Sequence, residues 1–250
     1  MSANLDQKVV IEGSDGDQFA VHALQSTNLG QEMRFPDGRR FRYSRAGAVA
    51  VVPGKLYQAP IPVPDHVLQT AAAAAAVGDR TVALTLGATA ATADQYRDGY
   101  LVVDLASNTG FGYIYQIGAH PAIDASSAFS VPLRSPVQVA IATTANSVSL
   151  VPNNYGGVIL TIATTPTAVL AGCSVKAIPI GQYGWIQVAG NVPCLVAGTN
   201  IIGTTCWPSG TAGAQKPSAA TVVMLVPIVG NVVRVAVTTA YSTINLCNLE

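Results

Sequence analysis

Charge is scarce in this chain: Asp, Glu, Lys and Arg together make up 10% of its 250 residues, against about 25% in ordinary soluble domains. The shortage is sharpest between Leu105 and Leu249, where only Asp124, Arg134, Lys176, Lys216 and Arg234 carry charge. Thirteen basic residues balance 13 acidic ones, so no broad basic field is left for nucleic acid, whose phosphates call for Lys and Arg spread over a face. A lone monomer so thinly charged is poorly protected against association. Neighbouring protein is therefore expected to cover much of the surface. Aromatics are also few, at 6%, and Trp185 and Trp207 are expected to pack in a core.

Long hydrophobic runs are missing too. The most apolar window, TVVMLVPIVGNVVRVAV (221–237), is broken by Pro227, Gly230, Asn231 and Arg234 before it reaches the ~20 residues a membrane-spanning helix needs. It reads as two strands and a turn, and no membrane partner is expected. The opening MSANLDQKVVIEGSDGD lacks a basic stretch followed by an apolar one, so no secretory signal is expected. The four cysteines, Cys173, Cys194, Cys206 and Cys247, have neither CxxC spacing nor a nearby pair of histidines, which argues against zinc. They read as buried free thiols.

Catalytic signatures are lacking as well: no GxSxG elbow, Walker A loop, GxGxxG turn or HExxH is present. His22, His66 and His120 are far apart and read as loop or interface residues. Asp15 with Asp17, and Asp94 with Asp98, are candidate carboxylate pairs. The first pair sits in a GSDGD turn without the rest of a calcium loop, and both pairs read as solvated turns. No enzyme, metal or cofactor is expected.

What is there is strand. TVALTL (81–86), GYLVVDL (99–105), FGYIYQI (111–117), VQVAIAT (137–143), GVILTIA (157–163), GWIQVAG (184–190) and NVVRVAVT (231–238) are short, β-branched or aromatic, and bounded by turn formers. The expected class is all-β, as sandwich or barrel domains with an extended N-terminal arm and a hairpin. The expected division is 1–64 for the arm and hairpin, 65–135 for a first β domain and 136–250 for a second, or one continuous β domain. LASNTGFG (105–112) reads as a hairpin loop that pairs the strands of Tyr100 and Tyr113 antiparallel. QTAAAAAAVGD (69–79) leaves helix and strand both open: alanine favours helix, with Asp65 and Gly78 as caps, while the GDRTVALTL that follows looks like a turn into a strand. Alternate prolines through APIPVP (59–64) favour an extended segment.

The densest charge lies in FPDGRRFRYSRAG (35–47). Pro36-Asp37-Gly38 is turn chemistry and predicts a hairpin bend. In the following strand, alternation sets Arg40, Arg42 and Ser44 on one face and Arg39, Phe41, Tyr43 and Arg45 on the other. Three readings of the arginines stand: local pairing near Glu32 and Asp37, docking on an acidic protein surface, and nucleic acid. Of these, nucleic acid is disfavoured by the near absence of basic residues elsewhere. Arg39, Arg40, Arg42 and Arg45 are thus the candidate partner-binding residues.

Taken in order, LGQEMRFPDGRRFRYSRAGAVAVVPGKL (29–56), AAAAVGDRTVALTLGATAATADQYRDGYLVVD (73–104), GYIYQIGAHPAID (112–124), SLVPNNYGGVIL (149–160) and GQYGWIQVAGNVPCLVAG (181–198) resemble the auxiliary capsid proteins of tailed bacteriophages, the head decoration or cement proteins. The likeness rests on turns and strands without a reactive group. It implies a β-rich virion protein on the capsid surface, assembled in the host cytoplasm, that bridges major capsid protein subunits, often as a trimer. The alternative reading is a tail-fibre or host-recognition module that binds surface glycans. The major capsid protein itself fits less well, because no long spine helix is legible.

Overall fold

The computed structural model describes residues 10–104, 110–143, 148–161, 167–217, 227–247 and 249. In chain order its strands are β1 (Val10–Glu12), β2 (Val21–His22), β3 (Glu32–Arg34), β4 (Arg40–Ala46) and β5 (Leu56–Gln58), then β6 (Thr70–Ala71), β7 (Thr81–Thr85), β8 (Tyr100–Val103), β9 (Ile114–Gln116), β10 (Ala128–Pro132) and β11 (Val148–Val151). The last group is β12 (Gly156–Leu160), β13 (Leu170–Ser174), β14 (Tyr183–Leu195), β15 (Thr205–Pro208), β16 (Gln215–Pro217), β17 (Gly230–Arg234) and β18 (Tyr241–Leu246). Single 3-10 turns at Asp17–Phe19 and Pro64–His66 are the helical elements among the described residues. The protein is all-β, and no described helix is long and apolar enough to cross a membrane.

Two compact units share the chain: Met1–Pro60 with Gly157–Glu250, and Ile61–Gly156 inserted between them. The first unit is built on a closed five-stranded barrel, β4-β12-β5-β13-β14, in which β14 returns to pair with β4. Closure removes the two open edges that a sheet of the same strands would expose. β14 runs on past the barrel. Its first half pairs with β4 and β13, and from Gly190 onward it pairs with β18, which leads a second sheet through β17 and β15 to β16.

The turn from one sheet to the other falls where the β4–β14 register slips between Gln187 and Ala189. Gly190 takes φ +85 there, and a side chain in its place would start 3.1 Å from Arg39 Cα. A strand that changes sheets needs such a bulge. One core lies against the hairpin, with Leu29, Met33, Phe35, Phe41, Tyr43 and Trp185. Another joins the barrel to the second sheet through Leu56, Cys173, Val192, Cys206, Val232 and Ile244.

The inserted unit holds two three-stranded sheets, β10-β7-β6 and β11-β8-β9. Alternation is clean: Val82 and Leu84 of β7, and Leu101 and Val103 of β8, enter one shared core, while Thr81 and Tyr100 face out. β8 and β9 pair antiparallel, with Tyr100 opposite Gln116. Of the loop between them, residues 105–109 lie outside the described ones.

Several expectations need correction. VQVAIAT (137–143) forms no ladder strand: Val137 and Ile141 are buried, but the chain holds only an isolated bridge from Ile141 to Ala75. The alanine run is neither helix nor full strand. It contributes β6, then crosses the core edge with Ala71 and Ala75 buried and 72–74 exposed, because a run of this length cannot repay helix nucleation without a face to pack. Residues 10–58 supply strands to the same sheet as 156–246, so they are not an arm, and the inserted unit runs across the boundary expected at 136. Both tryptophans are buried, as core residues should be.

Candidate functional site

The PDG bend joins β3 to β4 as an antiparallel hairpin with Glu32 opposite Arg42, Met33 opposite Phe41 and Arg34 opposite Arg40. Phe41 and Tyr43 are buried between half-buried arginines, as the alternation requires up to Tyr43. Aromatic rings continue across the strands. Phe35 meets Phe41 at 5.1 Å, and Tyr43 meets Trp185 edge-on at 5.1 Å and Tyr183 stacked at 5.9 Å.

An arginine lies over each end of this row. Arg39 Cζ is 4.7 Å from the Phe35 centroid and Arg45 Cζ is 5.9 Å from that of Tyr183, within reach of a cation–π contact. Arg39 also donates from Nε to Asp37 (2.5 Å) and from Nη2 to Asp15 (2.6 Å). The Arg39 backbone N–H, and then its guanidinium, hold Asp37 below the usual carboxylate range although partial burial opposes this. The bond to Asp15 in turn raises the Arg39 guanidinium.

Arg42 donates to the Gly30 carbonyl at 2.9 Å and pairs with Glu32 at 3.2 Å, and Arg34 pairs with the other oxygen of Glu32. Arg45 donates to the Gly181 carbonyl at 3.3 Å. Arg39, Arg42 and Arg45 thus have partners within their own unit, which accords with the local-pairing reading of the sequence. Arg40 stands half-buried opposite Arg34. The pairs of Arg39 with the exposed Asp15 and Asp37 fix its position more than they stabilise, since exposed ion pairs contribute about 0–1 kcal/mol.

Beside the hairpin is an open cavity of about 290 Å³, lined by Gln18, Phe19, Arg39, Gln187, Asn191 and Pro193. Sequence reading missed it. Gln18 and Phe19 follow a turn taken for mere solvated loop, Gln187 is far along the chain, and the bulge in β14 that brings them together has no signature in the sequence.

The inserted unit contains a second polar cluster. His66, Tyr96 and His120 are all buried; His120 lies in a loop, as expected, but both histidines point inward, where a surface position was expected. His66 Nε2 faces the Thr89 carbonyl at 2.8 Å and so carries the proton, leaving Nδ1 to accept from the Tyr96 hydroxyl. His120 has the opposite tautomer: Nε2 accepts from the Tyr96 N–H at 3.0 Å and Nδ1 donates to the Pro121 carbonyl at 2.7 Å. Burial pushes the Tyr96 phenol up, so it acts as a fixed donor and not as an acid. Tyr96→Phe leaves His66 Nδ1 buried without a partner and is expected to cost about 1–3 kcal/mol, read as a lower urea midpoint with an unchanged circular dichroism spectrum.

Asp98 is another correction. It is fully buried, and its carboxylate accepts from Arg134, while Asp94 accepts from the His120 N–H. The expected pair of solvated carboxylates is therefore two separate structural anchors.

Cys173, Cys194 and Cys206 are buried free thiols and Cys247 is exposed. Burial pushes Cys206 up to about 12, and the hydrogen bond with Cys173, followed by burial, raises Cys194. Such thiols are poor nucleophiles at neutral pH. Among the described residues, no three His, Cys, Asp or Glu side chains cluster to hold a metal.

Among the described residues, apolar side chains are also exposed outside these clusters. Val233, near the end of β17, and Val235 and Val237 just beyond that strand are exposed. On the outer face of β8, β9 and β11, Tyr100 lies opposite Val151, and Val102 lies opposite Ile114, which is 57% exposed. No family model, no curated protein and no solved structure matches the chain.

Proposed function

We propose that the protein is a structural virion subunit that attaches to the outside of a tailed-bacteriophage capsid and stabilises the shell by bridging major capsid protein subunits, itself self-associating as a trimer. The observation that carries this reading is the apolar stripe on the outer face of β8, β9 and β11, where Tyr100, Ile114 and Val151 are exposed beside the half-buried Val102, together with the exposed Val233, Val235 and Val237, in a chain that is 10% charged. Contiguous exposed apolar surface marks a partner site, and obligate assemblies use large apolar interfaces. The buried His66, Tyr96 and His120 spend their polar groups on one another and on backbone atoms, which supports a structural role over a catalytic one. Closed threefold symmetry would cover such stripes and leave no open end to propagate.

Binding to the finished lattice and not to free subunits would stabilise it by mass action. Shells assembled without the protein are then expected to form normally and to burst at a lower temperature, with resistance restored on adding it. An unchanged burst temperature would refute the role. Light scattering is expected to show an oligomer at micromolar concentration, and Val235→Asp to dissociate it at least a hundredfold more readily, because a carboxylate left unpaired in an apolar interface costs several kcal/mol. A stable wild-type monomer would remove self-association from the proposal.

The arginine hairpin is the proposed contact for an acidic patch on the capsid. Arg42→Glu would set a carboxylate against Glu32, so the reversal to test is Arg40→Glu, expected to weaken attachment to shells while circular dichroism shows the fold retained.

A further inference from the structure

We propose that the cavity between the Asp17–Phe19 turn and the bulge of β14 is a carbohydrate subsite that takes one neutral pyranose ring. This goes beyond the shell-binding reading and does not depend on it. Two buried amides line the cavity in orientations their backbone partners fix. Gln18, 4% exposed, accepts from the Gly16 N–H through Oε1 at 2.8 Å. Gln187, 1% exposed, donates from Nε2 to the Ala189 and Asn191 carbonyls at 2.9 and 3.0 Å. Neither amide can flip without setting like groups against each other.

The atoms left over are therefore determined: a donor, Gln18 Nε2, and an acceptor, Gln187 Oε1. Neither has a partner among the described residues, and neither is among the occluded polar atoms of the structure. Both residues line the cavity.

A fixed donor and a fixed acceptor in one small cavity complement hydroxyl groups, each of which both accepts and donates. Phe19, 48% exposed on the same wall, offers a ring against which the C–H face of a sugar can lie, while Pro193 adds apolar wall. Charge argues against an anion. The one cation in the lining, Arg39, is already matched by Asp15 and Asp37 through Nε and Nη2. A cavity of about 290 Å³ lies at the lower end of small-molecule sites, roughly 300–1,000 Å³, which suits one ring and excludes a long ligand held along its whole length.

The bulge at Gln187 and the glycine at 190 supply the positioning. Together they re-aim β14 so that Gln187 and Asn191 border one cavity, as bulges near functional sites do.

The test is a nuclear magnetic resonance titration of the full chain with the methyl glycosides of glucose, galactose, mannose and N-acetylglucosamine. Saturable shifts of the Gln18 and Gln187 side-chain amide signals with at least one glycoside are expected. Phe19→Ala should weaken that binding by about two- to tenfold, the scale of a lost aromatic contact, without moving the melting temperature of this exposed position. Gln18→Glu keeps the oxygen that serves the Gly16 N–H but removes the donor, and should abolish the glycoside-dependent shift of the remaining probe, the Gln187 amide, with the turn intact. The proposal is overturned if no glycoside shifts these signals, if the shifts survive both substitutions, or if methyl phosphate binds more tightly than every glycoside in a salt-sensitive manner.

Discussion

Replacing Arg134 with Met is expected to destabilise the inserted unit by about 2–4 kcal/mol. Asp98 is fully buried, and Arg134 is the cation that reaches its carboxylate. Without it, a charge stays in the interior, and the cost is that of a buried carboxylate deprived of this cation. The figure lies toward the low end of buried pairs because the Arg134 side chain is 36% exposed, so water screens part of the attraction already. The paired variant Asp98→Asn, Arg134→Met should recover most of the loss. Asparagine tolerates the positive φ of 60° at this position, and the backbone bonds of residue 98, from its N–H to Ile117 and from Asn153 to its carbonyl, do not depend on the charge. Urea unfolding of the single and double variants measures both effects, and equal destabilisation by the two would show that the carboxylate is not the source.

Gly172→Ala is expected to damage the barrel by at least about 3 kcal/mol. Gly172 sits in β13 with φ +142, and a Cβ there would lie 2.4 Å from the Gln187 carbonyl oxygen and 2.6 Å from Ile186 Cγ2. The first obstacle is backbone, and it belongs to β14, the strand that closes the barrel on β4. It cannot retreat without loosening that closure. A fall in melting temperature of about 10 °C is expected. Gly210→Ala supplies the control: nothing lies within 4 Å of a side chain there and its φ is ordinary, so its effect should stay within about 0.5 kcal/mol.

Strands were legible where one face is buried and the other wet. TVALTL and GYLVVDL alternate and become β7 and β8 within a residue or two of their expected ends. VQVAIAT has the same composition but no neighbour offers it a ladder, so Val137 and Ile141 enter the core from an irregular chain. Composition reports burial, and only pairing makes a strand. The hairpin was readable through Tyr43, because turn chemistry and alternation are both local; beyond it Ser44 is buried next to Tyr43 and the alternation breaks. The partners of its arginines were only partly so: Glu32 and Asp37 are near in sequence, while Gly181, Tyr183 and Asp15 reach it through the fold. Asp98 shows the opposite failure. A carboxylate beside Tyr and Arg reads as surface, and only Arg134, on a different loop, makes its burial tolerable. The cavity lined by Gln18 and Gln187 was illegible for a third reason, since two glutamines separated by most of the chain have no common pattern until a bulge brings them to one wall.

The order of strands in the barrel also governs how the chain meets the ribosome. β4 emerges early, but its closing partner β14 follows only after the whole inserted unit has been made. The inserted unit, Ile61–Gly156, is contiguous and can fold as soon as it is released, as domains do during synthesis. Meanwhile the β3–β4 hairpin waits with an unpaired edge, at a stage when a bare strand is a template for the wrong partner. Charged residues flanking such a strand keep like copies apart. Arg39, Arg40, Arg42 and Arg45, crowded at and along a strand that has to wait, are thus placed to guard the nascent chain on the polysome, where many copies of the same unfinished edge lie close together.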